Sequence, residues 1–251
     1  MVQDPVKAYF ETTAAAYQDA CTQLTDVRSF IFQERKRVVC ELFTVSRGMV
    51  LDVGCGPAVY TEQLARPDRR VYGVDVAEEM VRRAAKKGCA NAAFLAGTIQ
   101  QLPFADGVFD GVLCVGVLEY LNDLDAAVHE LARVTKPGGI VLVTVPNGSS
   151  LLNRVDMALR SVVRFGSERV GLRGLRRLMD HTYTARAIPT ARLISLLSSH
   201  GLVVEVQRHH VFRLAWLHAL SPPLALRTAQ RMNFVSSRWL GVNTVVRARR
   251  A

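Results

Sequence analysis

The 251-residue chain has no apolar run near the roughly 20 residues that a membrane-spanning helix requires. Its start, MVQDPVKAYFETTAAAYQD, has no apolar core of the kind a secretion signal carries. The five cysteines, Cys21, Cys40, Cys55, Cys89 and Cys114, are odd in number and never form a CxxC pair. That spacing argues against a zinc site and a disulfide framework, and for reduced thiols in the cytoplasm. Internal repeats and low-complexity tracts are also absent, which excludes solenoids and linker-like tails. Acidic residues are scarce: 22 Asp and Glu against 32 Lys and Arg leave a net charge of +10. Such an excess favours acidic partners, or else a solvated arginine-rich surface.

What is present suits a folded globule. Hydrophobic residues make up 49% of the chain and charged residues 22%, a balance that allows a proper core. Short apolar runs alternate with helical patterns: GMVLDVG, RVYGVD, AAFLAG, FDGVLCVG and IVLVTVP read as strands, and AEEMVRRAAKKG and NDLDAAVHELARVT as helices between them. LVVEVQRHH and VNTVVRARR add two strands near the end. The expected fold is α/β: a doubly wound, mainly parallel seven-stranded sheet with the last strand antiparallel. One domain is expected. Its parts are a helical N-terminal cap over 1–48, a core over 49–147, a basic helical insertion after strand five over 148–188, and the rest of the core with a further helical insertion over 189–251. Asn147 opens an NGS triplet that matches a glycosylation acceptor, but in a cytoplasmic chain it reads as a turn.

The ligand end of such a sheet lies past the carboxyl ends of its strands. VLDVGCGPAVY falls there after the first strand, with Gly54 and Gly56 allowing a sharp turn and close backbone approach. Asp75 ends the second strand about 20 residues on, where a carboxylate accepts both hydroxyls of a ribose. A dinucleotide loop needs a third glycine facing the pyrophosphate; here Pro57 and Ala58 follow instead, and proline removes a backbone donor. A ligand with a ribose but no phosphate fits better.

From Val50 to Asn147 the sequence resembles the class I, Rossmann-fold S-adenosylmethionine-dependent methyltransferases. It is most similar to the small-molecule branch with ubiquinone-pathway and natural-product O-methyltransferases. VLDVGCGPA, GVDVAEEMV, GTIQQLPFADGVFD and VLEYLNDLDAAVHELARVTKPGGIVLVTVPN carry the resemblance. It implies S-adenosylmethionine as cofactor, S-adenosylhomocysteine as product, and Asp52, Gly54, Cys55 and Gly56 as the loop that holds them. The two glycines would approach the methionine part and Asp75 the ribose. Val76 and Met80 would pack on the adenine, Thr98, Ile99 and Gln100 would surround its edge, and the backbone of Val115 would meet the ammonium group. In the cap, Tyr17 would lie near the cofactor carboxylate, or else Tyr9, Phe10 and Tyr17 pack as an ordinary amphipathic face. Thr98 replaces an acid frequent in the family and, as a neutral acceptor, should bind more weakly.

The resemblance implies methyl transfer to a small-molecule or lipid-like acceptor, with oxygen as target; nitrogen or carbon transfer, and a non-catalytic cofactor-binding protein on the same fold, are the alternatives. A hydroxyl acceptor benefits from a base. Glu119, Tyr120, His181 and Tyr183 are the candidates. The alternative roles are a carboxylate that braces the cofactor loop for Glu119 and a hydrogen bond that anchors the insertion for His181. Some ubiquinone-pathway relatives hold a metal with Glu-x-x-Glu-His after strand four. Gly116, Glu119 and Tyr120 occupy those positions, so no metal is expected. The arginines of 148–188 interleave with apolar residues. By default that stretch is a lid with a solvated face; alternatively it makes peripheral contact with an anionic inner membrane surface or binds an anionic acceptor. The absence of an RNA-binding module or a Pro-Pro-aromatic motif after strand four argues against nucleic acid. The oligomeric state is left open.

Overall fold

The computed structural model describes residues 4–24, 26–155, 158, 186–211, 221–232 and 237–251. Two helices lead in: α1 (Asp4–Thr22) and α2 (Val27–Leu42). The core follows as β1 (Gly48–Val53), a short α3 (Thr61–Leu64), β2 (Arg69–Asp75), α4 (Glu78–Lys86), β3 (Ala92–Ala96), β4 (Phe109–Val115), α5 (Leu124–Val134) and β5 (Thr135–Pro146). Then come α6 (Thr190–Ser199), β6 (Leu202–His210), α7 (Pro222–Met232) and β7 (Asn243–Arg250).

The seven strands form one sheet in the order β3-β2-β1-β4-β5-β7-β6. Neighbours from β3 to β5 are parallel, and β7 runs antiparallel to both β5 and β6. This is the expected doubly wound sheet with its last strand reversed. The order turns back between β1 and β4, so the ligand crevice opens above those two strands. β5 begins at Thr135, earlier than the apolar run IVLVTVP suggests. Lys136 to Gly139 extend the strand across an irregularity opposite Phe109 and Gly111.

Alternation along each strand feeds two cores. Leu51, Val53, Val112 and Cys114 face α5 and α6, where Leu131, Leu193 and Leu197 meet them. Val50, Val71, Leu113 and Val115 face α2, whose Val38 and Val39 cover them. α2 begins at a capping box: Asp26 Oδ1 accepts from Ser29 N at 2.8 Å, and Ser29 Oγ accepts from Asp26 N at 2.9 Å. Asn147 is fully buried at the end of β5, and its Nδ2 donates to the carbonyls of Arg238 and Gly241 at 2.8 Å each. The asparagine of the NGS triplet is thus a structural tie, sealed from any modifying enzyme.

Candidate cofactor cavity and its polar floor

Above the ends of β1, β2 and β4 lies a cavity of about 530 Å³, well within the range of small-ligand sites. Its floor is the β1 loop. Gly54 and Gly56 take left-handed φ values of 69° and 52°, and Ala58 follows with 60°. The loop therefore makes a third left-handed turn where sequence offers a methyl group, and the alanine carries strain of about 1–2 kcal/mol. A Cβ on Gly54 would stand 2.2 Å from Val117 Cγ2. At Gly56 it would reach only ordinary contact, 3.7 Å from Tyr17 Cε1. The first glycine makes room for the β4 loop, and the second keeps the floor open beneath Tyr17.

Asp75 is locked from both sides. Its Oδ2 accepts from Gly56 N at 2.8 Å and its Oδ1 from Ala77 N at 2.9 Å. Burial pushes its pKa up, while the Ala77 and Gly56 amides pull it back and the Glu11 carboxylate adds to the rise. Asp75 lines the cavity, and a carboxylate oxygen can accept more than one hydrogen bond, which is what a vicinal diol needs. At the far wall the Thr98 hydroxyl gives its proton to Gln100 Oε1. The same Thr98 oxygen accepts from the Gln100 backbone amide at 3.4 Å, so Thr98 and Gln100 form one polar unit in the cavity lining.

Of the residues named from sequence, Tyr17, Gly54, Gly56, Asp75, Val76, Met80, Thr98, Ile99, Gln100, Val115 and Tyr120 line this cavity. Asp52 and Cys55 do not. The Asp52 carboxylate turns away and accepts from Thr61 Oγ1 at 2.7 Å, bracing the loop against α3. Burial is the main cause that raises its pKa to about 7. The Cys55 thiol is buried behind the loop, where a Cβ on Gly73 would meet its Sγ at 2.9 Å. His181 and Tyr183, proposed as bases, lie outside the described residues.

Glu119 is 5% exposed and its Oε2 has no hydrogen-bond partner among the described residues. Burial raises its pKa to about 7. It sits behind the lining, while its neighbour Tyr120 faces the cavity and meets Phe10 edge-on at 5.5 Å. Arg35 of α2 was not anticipated. A Cβ on Gly116, in the cavity wall, would be 3.0 Å from Arg35 Nη1. Arg35 as a whole is half-buried, yet its Nε is sealed from solvent with no hydrogen-bond partner among the described residues. Burial alone would lower its pKa; Tyr60, Tyr17 and Glu119 outweigh that and hold it above its usual value. A cation is thus fixed beneath the wall. The signal lay in the helix pattern: Arg35 falls on the stripe of Val38, Val39 and Leu42, a charge on an apolar face.

Residues 51–143 match a family model described as a methyltransferase domain. The chain is 36% identical over 116 residues to the malonyl-[acyl-carrier protein] O-methyltransferase of Erwinia pyrifoliae, covering 46% of this chain and 43% of that protein. It is 31% identical over 154 residues to the ubiquinone biosynthesis O-methyltransferase of Alkalilimnicola ehrlichii, covering 58% and 61%. The chain spans less than two thirds of the length of these relatives. Among solved structures, the magnesium protoporphyrin IX methyltransferase of Synechocystis PCC 6803 with bound SAH superposes over the full length of both chains, with a TM-score of 0.68 at 16% identity. That likeness is one of fold.

Proposed function

We propose that the chain transfers a methyl group from S-adenosylmethionine to a small-molecule or lipid-like acceptor, at oxygen, a reading that starts from the match of residues 51–143 to the methyltransferase-domain model. The observation that carries this reading is Asp75. It is held rigid by two amides beside the glycine bend, at the mouth of a cavity with no phosphate-facing glycine. The cavity suits an uncharged ribose flanked by an amino acid. The Arg35 cation beneath Gly116 complements a carboxylate at that end, and the polar pair Thr98 and Gln100 lines the cavity beside the adenine-packing Val76 and Met80.

When bound, S-adenosylmethionine supplies an electrophilic methyl on a sulfonium that leaves as a neutral thioether. The protein's own contribution is placement. Asp75, Met80 and the glycine bend fix the adenosyl half, so that a bound acceptor oxygen is held in line with the methyl, an effect worth about 7 kcal/mol or more where alignment is good. Glu119 lies close behind the wall with a carboxyl that titrates near neutrality. It stands as the described candidate to take the acceptor proton, through Tyr120 or an intervening water. Transfer to oxygen is supported by the two O-methyltransferase relatives. The arginines interleaved with apolar residues over 148–188 support a separate, sequence-based proposal of peripheral contact with an anionic membrane. Liposome flotation of the wild type against a charge-reversed insertion tests that contact, and equal flotation refutes it.

The main reading is tested by calorimetry with S-adenosylhomocysteine. Asp75→Ala should weaken binding by about 1–3 kcal/mol, the cost of unpairing buried hydroxyls. Unchanged affinity overturns the ribose assignment.

A further inference from the structure

One side of α1 is bound to α4 along its length. Lys7 Nζ pairs with Glu78 at 2.8 Å, and Arg83 Nη1 donates to Gln18 Oε1 at 3.2 Å. Between them, Glu11 places one carboxylate oxygen on the amide of Glu78 at 2.7 Å and the other on that of Glu79 at 3.0 Å. Lys7, Glu11 and Gln18 follow each other at helical spacing, with Ala14 packed among them against Ala77 and Met80. The adjoining stripe, Phe10 and Tyr17, roofs the cavity.

The reason Glu11 is needed lies in α4. Its N-cap residue is Ala77, which has no side chain to offer, so the first-turn amides of Glu78 and Glu79 lack a local acceptor. Glu11 supplies that cap from another helix, and its charge suits the positive end of α4. The cap thus joins the roof to the segment that begins at Asp75 and ends at Met80, both of which line the cavity. Lifting the roof uncaps α4, and the two events share one carboxylate. The surface pair Lys7–Glu78, 40% and 72% exposed, contributes little by comparison.

We infer that Glu11 is the latch of a hinged roof: by capping α4 from α1 it sets how fast an adenosyl ligand enters and leaves the cavity. The inference rests on the functional reading above. Glu11 does not touch the reacting atoms; it is a positioning residue acting through α1 and α4.

The test is stopped-flow displacement of S-adenosylhomocysteine from the full chain, with melting temperatures measured alongside. Glu11→Ala should speed dissociation by roughly five- to thirtyfold, the factor that one or two kcal/mol of lost cap represents. A second variant separates the latch from plain helix stability. Glu11→Ala combined with Ala77→Ser gives α4 a local cap without tying it to α1. It should regain the melting temperature and still release the ligand fast. Dissociation within twofold of wild type in Glu11→Ala overturns the latch, as does a slow rate restored by Ala77→Ser. A wild-type protein that binds no S-adenosylhomocysteine would overturn the functional reading, and the latch with it; an intact affinity with unaltered rates sinks the latch alone.

Discussion

Gly54 shows how a single missing Cβ positions the loop. With φ at 69° and Val117 only 2.2 Å from a built Cβ, alanine there meets a strained backbone and a branched side chain together. Gly54→Ala should therefore destabilise the fold by about 1–3 kcal/mol and, by shifting Val117, distort the cavity wall. Urea denaturation and S-adenosylhomocysteine titration should both show the loss. A variant that binds as wild type does would remove Gly54 from the site. At this scale the sequence is readable where chemistry leaves a type signature. The two glycines and Asp75 stood out because few other residues do what a sharp bend or a diol requires. Arg35 and Glu11 did not. Each is an ordinary surface-type residue whose role comes from a partner far along the chain: Gly116 for one, the α4 amides for the other. Asp52 shows the converse. It sits in the loop motif, but its side chain serves Thr61.

Elements are legible through periodicity and caps, and less so where a strand outruns its apolar run. β1, β2 and β4 are readable because their central residues are buried, which favours short apolar stretches such as Val50–Leu51 and Val112–Val115. The first part of β5, Lys136 to Gly139, has turn chemistry and bulges out of the ladder: β4 pairs with Thr135 before it and with Ile140 after it, so the strand runs on across an irregularity that no apolar run announces. α2 matters most to the site, since it carries Arg35 under the cavity wall. Its start depends on the reciprocal Asp26–Ser29 box. Asp26→Ala should cost about 0.5–2 kcal/mol of stability. Because the fraying begins two turns before Arg35, cofactor affinity should fall less than stability does. Denaturant midpoints set beside calorimetry distinguish the two, and an undiminished midpoint would show that α2 is held by packing alone.

At the scale of the molecule, acids pair with several arginines and leave the net charge of +10 as unpaired excess. Glu205 holds Arg247 and Arg249, Glu130 and Asp106 hold Arg133, and Glu41 holds Arg208. The strongly basic stretch at 148–188 falls largely outside the described residues, so the sequence alone speaks for its role. Buried acids, by contrast, leave a signature on the whole fold. Asp52, 1% exposed, has its pKa raised from 3.8 to about 7, by burial first and Asp75 second, against the opposing bond from Thr61. In the unfolded chain it ionises near its ordinary value. From about pH 4 to about pH 7 the unfolded state has therefore released a proton that the folded state still holds. Stability from this group is complete below the unfolded pKa and is lost as pH rises through the folded one. Asp52→Asn keeps an acceptor for Thr61 and cannot ionise. Its stability relative to wild type should accordingly grow by a few kcal/mol, on the order of 1.4 per pKa unit, between pH 4 and pH 8. Urea denaturation of both proteins across that range reads the difference directly. Parallel curves would mean that the Asp52 carboxylate is ionised in the fold, with Thr61 and water solvating it.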